Sequence, residues 1–312
     1  MNRRDFLSAS VAFAASGTMW AADKVSSNFS KFKALETVKF LNDGGKVWCF
    51  SNRGRGQMLS TVFVSPEGNV LVVDGGSYDD ANFLLDFLKS IGGKVDYWLI
   101  THAHVDHYGA IIKMHEGRDA PVLAIGELIY NFPDRAWCEK SEPGCMKHLK
   151  AWFDDFIPSA GKKIVRGDCS PRRKVGFGSW SFEILNDPIL CKNGAINNTS
   201  VCLTVNTGGK RWLVTGDIAV EGGRRLVNLC GDRIRHDVVF MSHHGQNGVN
   251  KDFYAAVNPE VSIWPTPDWL WDNRVSKQTA GSGPWKTNYT KCWLQELNIR
   301  RQYVLVHDVV FG

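Results

Sequence analysis

Tyr97-Trp98-Leu99-Ile100-Thr101-His102-Ala103-His104-Val105-Asp106-His107-Tyr108-Gly109-Ala110 is the stretch on which the fold turns. Tyr97 to Ile100 read as an apolar strand and a helix begins near Tyr108, so the polar run between them occupies the turn at the strand's C-terminal end. Three of the chain's nine histidines and one aspartate fall between His102 and His107. A His-x-His pair directly after a strand can present two imidazoles to one cation, and Asp106 and His107 can face a second. Imidazole and carboxylate ligands without thiolate suit Zn²⁺ first, with Mn²⁺ or Fe²⁺ as alternatives. Such density argues against ordinary surface histidines at a helix start.

Working outward, strands are predicted over 46–50 and 58–64, followed by the turn Pro66-Glu67-Gly68-Asn69. Val70-Leu71-Val72-Val73-Asp74-Gly75-Gly76 is a fully apolar strand ending in an acid and two glycines. Residues 81–91 have the spacing of an amphipathic helix, with Phe83, Leu84, Phe87, Leu88 and Ile91 on one side. Residues 126–163 read as helical, with Trp152, Phe153 and Phe156 as packing residues. Strands follow over 180–185, 200–206 and 211–215, the last leading into Gly216-Asp217. A helix over 221–229 precedes a strand over 237–241 that ends at Ser242-His243-His244-Gly245. A final α/β unit runs from Phe253 through 261–264 to a closing strand over 303–306. Strands feeding helices in both halves predict two mixed sheets packed together with helices outside, as a single domain over 23–312. Such layers place sites at the C-terminal ends of strands, where Asp74, the histidine run, Asp217 and His243/His244 all fall.

The stretch 97–110 resembles the HxHxDH signature of the metallo-β-lactamase-fold hydrolases. Val73-Asp74-Gly75-Gly76 is similar to that superfamily's first motif, and Leu213-Val214-Thr215-Gly216-Asp217 to the strand carrying its bridging carboxylate. Within it, Asn197-Asn198-Thr199-Ser200 and the strand ending in His243-His244-Gly245 resemble the competence-type, ComEC-like branch. The resemblance implies a four-layer αβ/βα sandwich with a two-metal site between the sheets. His102 and His104 would hold the first metal, Asp106 and His107 the second, and Asp217 would bridge them. One of His243 and His244 would complete the second site, and side chains at successive positions point opposite ways, so the choice stays open. Asp74 would orient a ligand histidine and fix its tautomer. Most of the superfamily adds a third histidine to the first metal. Only His115 and His148 lie in the relevant interval, in helical, charged surroundings that mark them as surface residues. The resemblance puts Asn197-Asn198 at that position instead, so the first metal would be held weakly or be Mn²⁺.

The implied chemistry is hydrolysis by a metal-bound hydroxide, with Asp106 or the free member of His243/His244 (His244 included) assisting proton transfer. A phosphoester or phosphodiester substrate is favoured; a lactonase or β-lactamase activity, or a non-catalytic binding protein on the same fold, are the alternatives. The net charge of +5, of which Arg3, Arg4 and Asp5 supply +1, is modest, and no dense basic stripe appears. Nucleic acid is therefore allowed but not favoured as a substrate. Trp264, Trp269, Trp271 and Trp285 lie in a Pro-, Asp- and Gly-rich tail, where they either stack on ligands or plug the domain's end.

Residues 1–22 carry Arg3-Arg4-Asp5-Phe6-Leu7, a short apolar run and Ala21-Ala22, the pattern of a twin-arginine-type signal peptide. The apolar run is shorter than the ~20 residues of a spanning helix, so no stable membrane anchor is expected and the protein is placed in the periplasm or outside the cell. Eight cysteines suit an oxidising compartment, yet no CxxC spacing occurs. Cys138 and Cys145 flank a short turn and could pair, whereas Cys202 reads as core. The sequence assigns no oligomeric state.

Overall fold

A computed structural model describes residues 35–312; the signal-like segment over 1–22 lies outside them. Eight strands form the first sheet: β1 (Leu35–Val38), β2 (Lys46–Cys49), β3 (Ser60–Val64), β4 (Val70–Asp74), β5 (Lys94–Ile100), β6 (Ala124–Tyr130), β7 (Val165–Arg166) and β15 (Asp308–Phe311), in the order β1-β15-β2-β3-β4-β5-β6-β7. Seven form the second: β8 (Lys174–Phe177), β9 (Trp180–Ile184), β10 (Leu203–Thr207), β11 (Lys210–Val214), β12 (Val238–Phe240), β13 (Val261–Trp264) and β14 (Arg301–Val304), in the order β14-β13-β12-β11-β10-β9-β8. Each sheet has a parallel half, β4 to β7 in one and β11 to β14 in the other. Helices cover the outer faces: α1 (Ala81–Ser90), α2 (Val105–His115), α3 (Arg135–Ser141) and α4 (Met146–Lys150) on the first, α5 (Val220–Cys230), α6 (Lys251–Val257), α7 (Asp268–Trp271) and α8 (Thr287–Glu296) on the second.

The strands around the site are apolar toward their C-terminal ends, where both of their faces are buried. On β4, Leu71 and Val73 join the layer between the sheets, while Val70 and Val72 face α1 and α2. On β12, Val238 and Phe240 face the other sheet and Val239 the outer helices. The two-residue alternation of a strand thus assigns each apolar residue to one of two cores. The result is the four-layer αβ/βα sandwich. Among the described residues no helix is long and apolar enough to cross a membrane.

Several expectations need correction. Residues 126–130 are not helical but belong to β6, a parallel strand paired on both sides by β5 and β7. Leu128, Ile129 and Tyr130 are all buried, and such a continuous apolar run has no period to distinguish strand from helix. Helical turns do follow, at α3, α4 and the π-helical Ala151–Phe156, where Trp152 and Phe156 are buried and Phe153 is half-buried. The strand expected over 200–206 starts only at Leu203, because the amides of Ser200, Val201 and Cys202 donate to the Asn197 carbonyl, the Thr101 carbonyl and Asn186 Oδ1 instead of to a neighbouring strand. The closing strand is Arg301–Val304, and the chain then turns and crosses back as β15 into the first sheet. His115 is not a surface residue: it is buried, with Nδ1 2.6 Å from the Ile111 carbonyl and Nε2 accepting from the Val122 amide. His148 is half-buried beside Tyr78.

Candidate metal centre

The parallel halves bring the C-terminal ends of β4, β5, β11 and β12 together, and each end carries part of the site. Asp74 closes β4 with a left-handed backbone, φ 58°. A non-glycine residue rarely adopts that conformation, and the surroundings hold it there. The Trp98 indole, buried under α1 and α2, donates to the Asp74 carbonyl at 2.9 Å. Thr101 donates to the carboxylate from its backbone (2.7 Å) and from its hydroxyl (2.9 Å). Asp74 Oδ2 then lies 2.8 Å from His107 Nδ1. That bond places the proton on Nδ1 and leaves His107 Nε2 free to accept.

The other histidines are set in the same manner. Thr101 Oγ1 meets His102 Nδ1 at 3.1 Å, turning Nε2 toward His104 Nδ1, 3.1 Å away. His244 Nδ1 meets the Pro265 carbonyl at 2.8 Å, and Thr266 Oγ1 donates to the His244 carbonyl. His243 and His244 both adopt left-handed backbone conformations, φ 51° and 56°. This turn carries His244 inward, to 3.1 Å from Asp106 Oδ2 and 3.5 Å from Asp217 Oδ2. His243 stays at the rim, one-fifth exposed, with Nε2 3.9 Å from Asp217.

Two groups of donor atoms converge: Asp106, His107, Asp217 and His244 in one, His102, His104 and Asp217 in the other. Asp217 belongs to both. The donor set fits divalent cations on a direct observation: His107 Nε2 and His244 Nε2 are buried and make no aligned hydrogen bond, although carboxylate oxygens lie 3.1 to 3.8 Å away. Buried polar nitrogens left unpaired are costly, and a cation between them and the carboxylates would satisfy both. Of the two candidates on the final motif, His244 joins the cluster and His243 does not.

Electrostatics point the same way. Burial pushes every ring toward its neutral form, and for His102 and His243 it prevails, holding both below the ordinary histidine value. For His107 and His244 burial is outweighed by Asp217 and its fellow carboxylates, which hold His107 well above the ordinary range and push His244 up to about 9. Burial likewise opposes the charge on Asp106 and Asp217, yet the neighbouring histidines, His107 first, keep both below the usual carboxylate range. Burial raises Asp74 despite His107. The carboxylates thus draw positive charge into a largely buried cluster, and the centre implies divalent metals.

Asn197 and Asn198 divide in role. Asn198 is consumed by structure: Oδ1 accepts from the Ala219 and Gly222 amides at the start of α5, and Nδ2 donates to the Asn193 carbonyl. Asn197 Oδ1 is buried without a partner. Three supporting residues escape the sequence reading. Thr101 links Asp74 to His102, Ser200 Oγ accepts from the Asp217 amide at 3.0 Å, and Glu142 Oε1 lies 2.9 Å from His104 Nε2. Only Ser200 carried a signal, its place in the Asn-Asn-x-Ser run.

The tryptophans divide too. Trp264 is fully buried and Trp271 packs edge-on against it, with the Lys291 ammonium 3.7 Å from the Trp271 ring centre. Trp269 and Trp285 are half-buried, meet at 5.0 Å, and Trp269 Nε1 donates to the Arg55 carbonyl. All eight cysteines are free thiols, so Cys138 and Cys145 are not paired. Cys202 is buried core.

Residues 53–168 match the family model described as the Metallo-beta-lactamase superfamily. ComE operon protein 3 of Bacillus subtilis (strain 168) is 28% identical over 242 residues, 69% of this chain and 28% of that protein. A UPF0173 metal-dependent hydrolase of Herpetosiphon aurantiacus is 28% identical over 163 residues, 52% of this chain and 62% of that one. The matches therefore span less than two thirds of either relative's length. Among solved structures, the metallo-beta-lactamase fold protein YhfI from Bacillus subtilis superposes with a TM-score of 0.51 at 11% identity, over 86% of this chain and 99% of that one. That likeness concerns the fold alone.

Proposed function

We propose that this chain, whose residues 53–168 match the Metallo-beta-lactamase superfamily and which has ComE operon protein 3 among its relatives, is a two-metal hydrolase of phosphoesters, phosphodiesters first, acting outside the cytoplasm. One observation carries this reading: Asp217 belongs to both groups of converging donor atoms. Paired sites of this kind suit a phosphoester displacement: divalent cations held by Asp106, His107, Asp217 and His244 and by His102, His104 and Asp217 would supply Lewis acidity and acidify water. The chain's own residues supply the rest. His107, His244 and His102 are locked in the tautomers that turn their free nitrogens inward. His243, kept toward its neutral form by burial at the rim, would take the proton of the attacking water at Nε2 and return it to the leaving group. Trp269 and Trp285 offer half-exposed faces on the tail that follows Pro265 and Thr266, against which the organic part of an ester can stack. The metal-dependent hydrolase among the relatives supports the reaction class. The arginine pair at Arg3-Arg4 supports export.

The test is metal analysis with a substrate panel: bis-p-nitrophenyl phosphate, p-nitrophenylphosphorylcholine, single-stranded DNA, a lactone and nitrocefin. Turnover of a phosphodiester by protein holding two cations is the expected result. Cleavage of nitrocefin or the lactone without phosphodiester turnover overturns the substrate class. A protein with both sites filled that cleaves nothing is a binding protein.

A further inference from the structure

We infer that Glu142 is a positioning residue of the first metal site, fixing His104 so that Nδ1 rather than Nε2 faces the cation; this rests on the two-metal reading above. Each of the other cluster histidines spends one ring nitrogen on a partner within the fold: Thr101 for His102, Asp74 for His107, the Pro265 carbonyl for His244. His104 has no such partner in its own motif. It is also the most exposed member of the group, with a side chain 21% accessible while those of His102, His107 and His244 show none. An imidazole at the rim can rotate about its χ angles or switch tautomer, and either loses the ligand. Glu142 Oε1, 2.9 Å from Nε2, removes both freedoms by accepting the Nε2 proton. Nδ1 is then left as the acceptor, 3.1 Å from His102 Nε2, so that two unprotonated nitrogens face one point.

The backbone explains why Glu142 can do this from 38 residues away. It stands between α3 and the Pro143–Cys145 turn, at φ −150° and ψ 73°. Pro143 forbids helical continuation at the residue before it. The Glu142 amide donates to the Cys138 carbonyl, and its own carbonyl accepts from the Cys145 amide. Both peptide groups are therefore tied, and the side chain starts from a fixed point. A carboxylate behind a ligand imidazole also strengthens it as a donor. That matters most at this site, whose donor group among the described residues is two histidines and a shared carboxylate.

The test reads metal content, so turnover does not enter it. Wild-type protein, Glu142→Ala and Glu142→Gln are loaded with Co²⁺ or Zn²⁺, and stoichiometry and affinity are measured by elemental analysis and chelator competition, with the Co²⁺ spectrum identifying the perturbed site. In Glu142→Ala the weaker of two sites should lose about 10- to 100-fold in affinity while the other is unchanged. Glu142→Gln, whose amide oxygen still accepts from Nε2–H, should recover most of that loss. Wild-type affinity at both sites in Glu142→Ala overturns the inference and leaves the hydrolase reading standing. So does a loss in Glu142→Gln as large as in the alanine variant, since it would make Glu142 a ligand itself. A wild-type protein that takes up no cation overturns both.

Discussion

Asp74 Oδ2 lies 2.8 Å from His107 Nδ1, and neither side chain reaches solvent. Because Thr101 already donates twice to the same carboxylate, Asp74 is an acceptor on every side. In Asp74→Asn the amide group must present a donor somewhere in that ring of donors. If it faces His107, the imidazole must move its proton to Nε2, which then points at Asp106 and Asp217 as a donor rather than a ligand. The second metal should weaken by about 10- to 100-fold, read by chelator competition. A variant binding both metals as tightly as wild type would show that Asp74 does not set the tautomer.

Asp217 serves both groups of donor atoms, so its loss differs in kind from that of a single ligand. Asp217→Ala should cost several kcal/mol of transition-state stabilisation, hence on the order of 10³-fold in turnover of bis-p-nitrophenyl phosphate. Metal content should fall at both sites. Wild-type turnover in this variant would place the reaction elsewhere in the molecule.

The strands bearing the chemistry were legible because both of their faces are apolar and a polar residue stops each: Val73 before Asp74, Ile100 before the histidine run, Val214 before Gly216-Asp217. The same two-sided burial hid β6, whose Leu128-Ile129-Tyr130 run has no period to read. Asp74 was expected to fix one tautomer, but for His102, His104 and His244 sequence could not show which ring nitrogen faces inward. Those choices are made by Thr101, Pro265 and Glu142, ordinary residues whose role exists only through the fold. Likewise the choice between His243 and His244 depends on two successive left-handed residues, a conformation that stays uncommon even for histidine. The Asn-Asn-x-Ser run was visible as a pattern, yet its parts do different things. Asn198 ties the start of α5, Ser200 holds the Asp217 amide, and Asn197 keeps a free oxygen.

Gly222 tests that arrangement. In an ordinary helix, replacing glycine by alanine gains roughly 0.5–1 kcal/mol. Here a Cβ would stand 2.4 Å from Asn198 Oδ1 and 3.0 Å from Ile218 Cβ. Asn198 cannot yield cheaply, since its oxygen accepts from two amides and its nitrogen donates to the Asn193 carbonyl. Gly222→Ala should therefore destabilise by about 1–3 kcal/mol, the usual range for overpacking. Denaturant unfolding reads the sign, and a stabilised variant would refute the close approach.

His236 gives a pH dependence separate from the metal centre. It is buried behind β10, with Nδ1 2.8 Å from the Ile234 carbonyl and Nε2 2.7 Å from Thr204 Oγ1. Burial, only partly opposed by the Ile234 carbonyl, pushes its pKa down to about 4. The unfolded chain, titrating near 6.5, then binds more protons than the folded one between pH 6.5 and 4. The contribution is fully present above pH 6.5 and is lost as pH falls toward 4, by about 3 kcal/mol in all. His236→Gln can keep an acceptor for Thr204 but cannot titrate. Its stability deficit relative to wild type, measured at pH 7 in urea, should shrink by about that amount at pH 4. Titration of the metal-site histidines is common to both proteins and cancels in the difference. Parallel stability curves from pH 7 to 4 would show that His236 takes up no proton on unfolding.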